Sequence, residues 1–162
     1  MVNKKFSVSG VYTALATPFF PESGKIDFDS LRRLIDWQID SGISGFVACG
    51  TTGEVPTLSE AEWREVVSKT IEIVAHRVPV IAGAGTNNTQ HSVERCKVAK
   101  ELGADAVLAV TPYYNKPTQS GMIQHFIAMA ESTDLPGILY NIPARSAVGL
   151  TFESLQILAK HP

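Results

Sequence analysis

Apolar residues gather along this chain in short bursts separated by longer segments of helical period. The bursts are "VYTALAT", "GFVAC", "VPVIAGA", "DAVLAV" and "GILYN". Each is too short for a helix and rich in Val, Ile, Leu and Ala, as expected for strands buried on both faces of a parallel sheet. Between the first two bursts, Leu31, Leu34, Ile35 and Ile39 recur at helical spacing from Phe28, and "DSG" stops the run. The next helix opens at "SEAE", where Ser59 and Glu62 form a capping-box pair. Its apolar stripe is Trp63, Val66, Val67, Thr70, Ile71 and Val74. "NTQHSVERCKVAKELGAD" ends on a Leu-Gly stop. "SGMIQHFIAMAEST" and "LTFESLQILAKHP" supply two further helices, the second capped by Thr151.

Strand and helix thus alternate five times, with strands roughly 30 residues apart, the size of one unit in a (β/α)8 barrel of about 250 residues. A doubly wound open sheet is the competing arrangement. Its dinucleotide fingerprint is missing, since "GAGTNN" lacks the third glycine. The expected fold is therefore α/β, with residues 1–162 forming the first five units of a barrel and the remaining units absent from the chain.

Composition narrows the function. A formal net charge of -2 over 162 residues, with no basic stripe, argues against nucleic acid as a partner. No apolar stretch is long enough to span a bilayer, and "MVNKKFSVSG" does not continue into a signal peptide, so a cytoplasmic location is expected. Cys49 and Cys96 read as buried small hydrophobes. The four histidines share no ligand spacing, so no metal is expected.

In barrels of this kind the chemistry sits on the loops that follow the strands. Those loops carry "TPF" with Thr17, "GTTGE", "GTNNT", "TPYYNKP" and "YNIPARS". Each alone could be turn or packing chemistry; five polar loops in succession point to a site. "GTTGE" lacks the lysine of a phosphate loop, and its glutamate would repel a dianion. Backbone N–H groups and a hydroxyl suit a small carboxylate, so the turn reads as a carboxylate clamp.

"GTTGE", "TPYYNKP" and "YNIPAR", in that order, resemble the dihydrodipicolinate synthase family, within the N-acetylneuraminate lyase group of class I aldolase-like barrels. The resemblance runs from about Gly10 to the last residue. It implies a step toward lysine in which pyruvate forms a Schiff base with a lysine, becomes an enamine and attacks aspartate semialdehyde. The iminium is the electron sink, so no cofactor is implied. By the same resemblance, Thr52 holds the pyruvate carboxylate, Thr51 hydrogen-bonds Tyr140, and Tyr140 relays protons. Tyr114 crosses a dimer interface to complete the partner's relay, within a homodimer or homotetramer. Arg145 receives the carboxylate of the semialdehyde. The family's Schiff-base lysine lies on the sixth strand, so none is expected in this chain, and the chain alone is expected to be inactive.

Two other functions stand beside this one. A sister aldolase acting on sialic or 2-keto-3-deoxy sugar acids would not need a cation at Arg145. A non-catalytic barrel fragment would lack a strand-borne lysine after Tyr140, and Lys160 ends a helix instead. There are departures from the family pattern. His91 stands where lysine-inhibited members carry an acid, although Asn87 and Tyr113 of that pocket are kept. Glu60 and Trp63 replace histidines of some relatives, and Val55 replaces serine or alanine.

Overall fold

A computed structural model describes residues 6–161. The order is β1 (Tyr12–Ala14), α1 (Phe28–Asp40), β2 (Gly45–Ala48), α2 (Glu60–Val74), β3 (Val80–Gly83), α3 (Thr89–Leu102), β4 (Ala106–Val110), α4 (Gln119–Glu131), β5 (Gly137–Tyr140), α5 (Pro143–Ser146) and α6 (Phe152–Leu158). The five strands form one parallel sheet in chain order. A parallel ladder between sequential strands needs a crossover, and a helix supplies each one.

The helices begin where the polar punctuation predicts. Ser59 and Glu62 complete a reciprocal capping box, and Asp27, Asn88, Thr118 and Thr151 each accept the backbone N–H three residues on. Gly103 ends α3 in the left-handed region at φ 90°, which costs a glycine little.

Two apolar clusters hold the helices to the sheet. One gathers Leu31, Ile35, Phe46, Ile73 and Val80 beneath α1 and α2; the other centres on Trp63, Val66, Val67, Cys96, Phe126 and Met129. Trp63 is fully buried, and its indole N–H donates to the Gly83 carbonyl at 2.9 Å, so this large side chain enters the core with its polar atom paired. Both cysteines are buried and unbridged, as small hydrophobes should be.

Three expectations change. Burial on both faces holds for β2, β3 and β4, but Ala14 of β1 and Gly137 of β5 are exposed, because these two strands are the edges of the sheet. Ile71 is only half-buried while Ile73 is buried, because α2 packs on α1 and α3 as well as on the sheet. The segment after β5 is not all loop: α5 closes on itself through Ser146, whose hydroxyl donates to Ile142 and Val148 carbonyls at 3.0 and 2.6 Å. Among the described residues, no helix is long and apolar enough to cross a membrane, and no cluster of His, Cys, Asp or Glu could hold a metal ion.

Candidate active site

Because all five strands run parallel, the loops that follow them emerge along one edge of the sheet. A small cleft opens there, with a cavity volume of about 30 Å³, lined by Cys49, Gly50, Thr51, Gly83, Gly85, Val110 and Tyr140 among others. A roomier groove lies between α4, β5 and α6, lined mostly by apolar side chains such as Phe126, Met129, Leu139, Leu155 and Leu158, with Thr133 and His161 also lining it.

The floor of the cleft depends on close backbone approach. A methyl group on Gly83 would lie 2.0 Å from the Cys49 carbonyl oxygen, and one on Gly85 would lie 2.3 Å from the Val110 nitrogen. Neither position accepts a side chain without moving a strand. The turn "CGTTGE" above this floor begins and ends on left-handed residues, Cys49 at φ 54° and Glu54 at φ 56°. Internal bonds from Gly53 N–H to Gly50 and from Glu54 N–H to Thr51 hold its shape. Thr17, three residues past the end of β1, donates its hydroxyl to the Gly53 carbonyl at 2.8 Å.

Within this frame Thr51 and Thr52 are exposed. Among the described residues, no acceptor meets their backbone N–H groups or their hydroxyls. A turn that leaves donors unpaired beside a cleft suits a carboxylate. Thr51 and Tyr140 line the same cleft, but no hydrogen bond joins them, so the contact expected between them is not formed here. Thr52 is the next residue on the turn and does not line the cleft itself.

Tyr140 is held by its backbone. Its carbonyl accepts from both the amide and the hydroxyl of Thr111, at 3.0 and 3.1 Å. The next residue, Asn141, accepts Leu150 N–H at 3.0 Å and thereby shapes the loop that contains α5. Arg145 sits exposed on α5, and among the described residues no carboxylate pairs with it. Tyr114 is 89% exposed, at φ 71° in the loop after β4. Asn115 ties that loop to Asn87 at 3.1 Å. Lys116 is an exposed loop charge, and among the described residues no lysine lines the cleft.

"TPYYNKP" and "GAGTNN" contain Thr111, Gly83 and Gly85, but sequence alone assigned none of the three a role in the site. Thr111 directly follows a strand, and a hydroxyl there was the available signal.

A second polar cluster flanks the site. Glu60 accepts from Arg95 at 2.9 and 3.0 Å and lies 2.6 Å from His91 Nε2. Burial pushes the Glu60 carboxyl upward, but Arg95 and His91 outweigh it and hold it below the ordinary carboxylate range. The buried Arg95 guanidinium also stacks over Trp63, 4.8 Å from the ring centroid. Burial pushes the Cys49 thiol up to about 12, so it stays protonated at neutral pH.

Residues 7–162 match the dihydrodipicolinate synthetase family. The chain belongs to that family. It is 53% identical over 154 residues to 4-hydroxy-tetrahydrodipicolinate synthase of Rhizobium meliloti, covering 94% of this chain and 52% of the relative. To the enzyme of that name from Gluconacetobacter diazotrophicus it is 50% identical over 152 residues, covering 94% and 51%. Among solved structures, the chloride-inhibited dihydrodipicolinate synthase from Acinetobacter baumannii, complexed with pyruvate, superposes with a TM-score of 0.94 at 46% identity, covering 96% of this chain and 53% of that one. The chain spans about half the length of the curated relatives it matches. Its five-stranded parallel sheet with alternating helices corresponds to the N-terminal part of a (β/α)8 barrel.

Proposed function

We propose that this chain supplies the carboxylate clamp and the proton relay of an enzyme that condenses pyruvate with aspartate semialdehyde. The observation that carries the proposal is the shared cleft. The Thr51–Thr52 turn, with its unpaired donors, and Tyr140 meet at the end of the sheet where barrels do their chemistry. Arg145, with no carboxylate partner among the described residues, favours an acidic aldehyde over a sugar acid.

In this reading a lysine amine from outside the chain attacks the ketone of pyruvate, and water leaves as the iminium forms. Thr52 and the turn amides hold the carboxylate through that step. Tyr140 carries protons to and from the reacting atoms. Loss of a methyl proton gives the enamine, whose carbon bonds to the aldehyde carbon while Arg145 grips the second carboxylate; the aldehyde oxygen takes up a proton to become a hydroxyl. The iminium thus restored is displaced by water or by the substrate's own amine, which frees the lysine. No cofactor takes part, because the iminium itself withdraws the electrons. Tyr114 is covered by a second copy of the protein, in a homodimer or homotetramer, and completes the relay there.

Trapping with pyruvate and borohydride, followed by intact mass, tests the reading. The 162-residue chain alone should gain no adduct, and the assembled enzyme should gain one per site on a lysine outside this chain. A stoichiometric adduct on this chain, with Lys116 the first suspect, would overturn the assignment of the nucleophile. No adduct in the assembled enzyme would overturn the reaction.

A further inference from the structure

We infer that Thr17 is a positioning residue for the carboxylate clamp, acting through the Gly53 carbonyl rather than by touching substrate. The inference rests on the proposed function above for what the clamp holds, and on geometry alone for how it is held. β1 and β2 pair in parallel as far as Ala14 and Val47, and Leu15 N–H adds one more bond to the Val47 carbonyl at 3.0 Å. Beyond that point the two chains leave the ladder. The Thr17 hydroxyl then reaches across 36 positions of sequence to the Gly53 carbonyl at 2.8 Å.

Thr17 is 5% exposed, so its hydroxyl and that carbonyl meet away from competing water. The fit around Gly53 is close. A methyl group there would lie 3.0 Å from the Leu15 carbonyl, 3.2 Å from the Thr17 hydroxyl and 3.4 Å from the Cys49 α-carbon. The turn therefore rests on the end of the first strand segment. It also carries two non-glycine residues in the left-handed region, Cys49 and Glu54, a conformation that persists only where the surroundings enforce it. Its internal bonds run from Gly53 to Gly50 and from Glu54 to Thr51, and these fix its shape but not its place. Among the described residues, Thr17 makes the side-chain bond that ties it to the first strand segment. Thr51 and Thr52 precede Gly53 directly, so a shift of that carbonyl carries their donors with it.

The test compares Thr17→Val, which keeps the shape and removes the hydroxyl, with Thr17→Ser, which keeps the hydroxyl. Kinetics are measured on the assembled enzyme, and amide hydrogen exchange over residues 49–58 is followed in the same samples. Thr17→Val should lower kcat/KM for pyruvate on the order of ten- to a hundredfold, the scale of a misplaced binding group. KM for the aldehyde should be unchanged, and exchange at Gly53 and Glu54 should accelerate. Thr17→Ser should restore both readouts. Wild-type pyruvate kinetics and exchange in Thr17→Val would overturn the inference, as would equal loss toward both substrates in both variants. If the wild-type protein neither traps nor condenses pyruvate, the proposed reaction fails, while the exchange comparison needs no substrate and still decides the role of Thr17.

Discussion

Adding one methyl group at Gly83 should damage both the stability of the protein and its cleft. The Cβ of a Gly83→Ala variant would stand 2.0 Å from the Cys49 carbonyl oxygen, 2.7 Å from the Cys49 carbonyl carbon and 3.2 Å from the Ala48 carbonyl oxygen. All three are backbone atoms at the end of β2, so no side chain can rotate away. Relief requires β2 and β3 to part by about an ångström just beyond their Ala48–Ala82 register pair. The same shift would strain the Trp63 indole bond to the Gly83 carbonyl. Overpacking ordinarily costs 1–3 kcal/mol, and a backbone-on-backbone contact belongs at the upper end, about 3 kcal/mol. For a domain of this size that corresponds to a fall in Tm of roughly 6–12 °C. Thermal melts followed by circular dichroism measure it. Gly137→Ala is the internal control, because a methyl there meets nothing within 4 Å and its φ is ordinary. It should stay within about 0.5 kcal/mol of wild type. A Gly83→Ala protein melting within about 2 °C of wild type, on the same conversion, would refute the packing argument.

Three further outcomes are expected. Arg145→Ala in the assembled enzyme should raise KM for aspartate semialdehyde by the worth of a charge-assisted contact, about 1.5–3 kcal/mol, and leave KM for pyruvate alone; unchanged aldehyde kinetics would remove Arg145 from the site. Free lysine should inhibit weakly, because His91 offers no fixed negative charge and the Glu60 carboxylate beside it is already engaged by Arg95; inhibition titrations reaching half-effect at micromolar lysine would contradict this. Burial holds the His125 imidazole below its usual 6.5, so the unfolded chain binds the proton more readily. The contribution of His125 to stability is therefore full above about pH 6.5 and is lost as pH falls below it. Melts across that range should steepen in wild type relative to His125→Asn, and parallel curves would contradict the assignment.

Sequence made the alternation of strands and helices readable because its signals are local. Ser59 with Glu62, Thr151, and the glycine after Leu102 each act within a few residues, and each does what its spacing predicts. The edge character of β1 and β5 was not local: "VYTALAT" reads as buried on both faces until its place in the sheet is known. The α5 turn was hidden by Pro143, which punctuates a loop as readily as it starts a helix. At the site, the residue types of Thr51, Thr52, Tyr140 and Arg145 were legible, but their arrangement was not. The cleft joins Thr51, just after β2, to Tyr140, at the end of β5, across two intervening strands, while Arg145 and Tyr114 do not line it. The pairing of Glu60 with Arg95, 35 positions away, could not be seen in sequence at all, and it changes the meaning of His91 from an isolated substitution to one member of an ion-paired cluster.

The strand order has a kinetic consequence. Every ladder joins neighbours in sequence, and the paired residues Tyr12–Gly45, Phe46–Val80, Ile81–Ala106 and Val107–Gly137 are each separated by a single βα unit. Among the described residues, each of these four pairings joins strands a single unit apart, so loop closure costs about the same at every step. Each unit can therefore dock on the one before it as soon as it is synthesised, and the sheet grows from β1 toward β5 in the direction of translation.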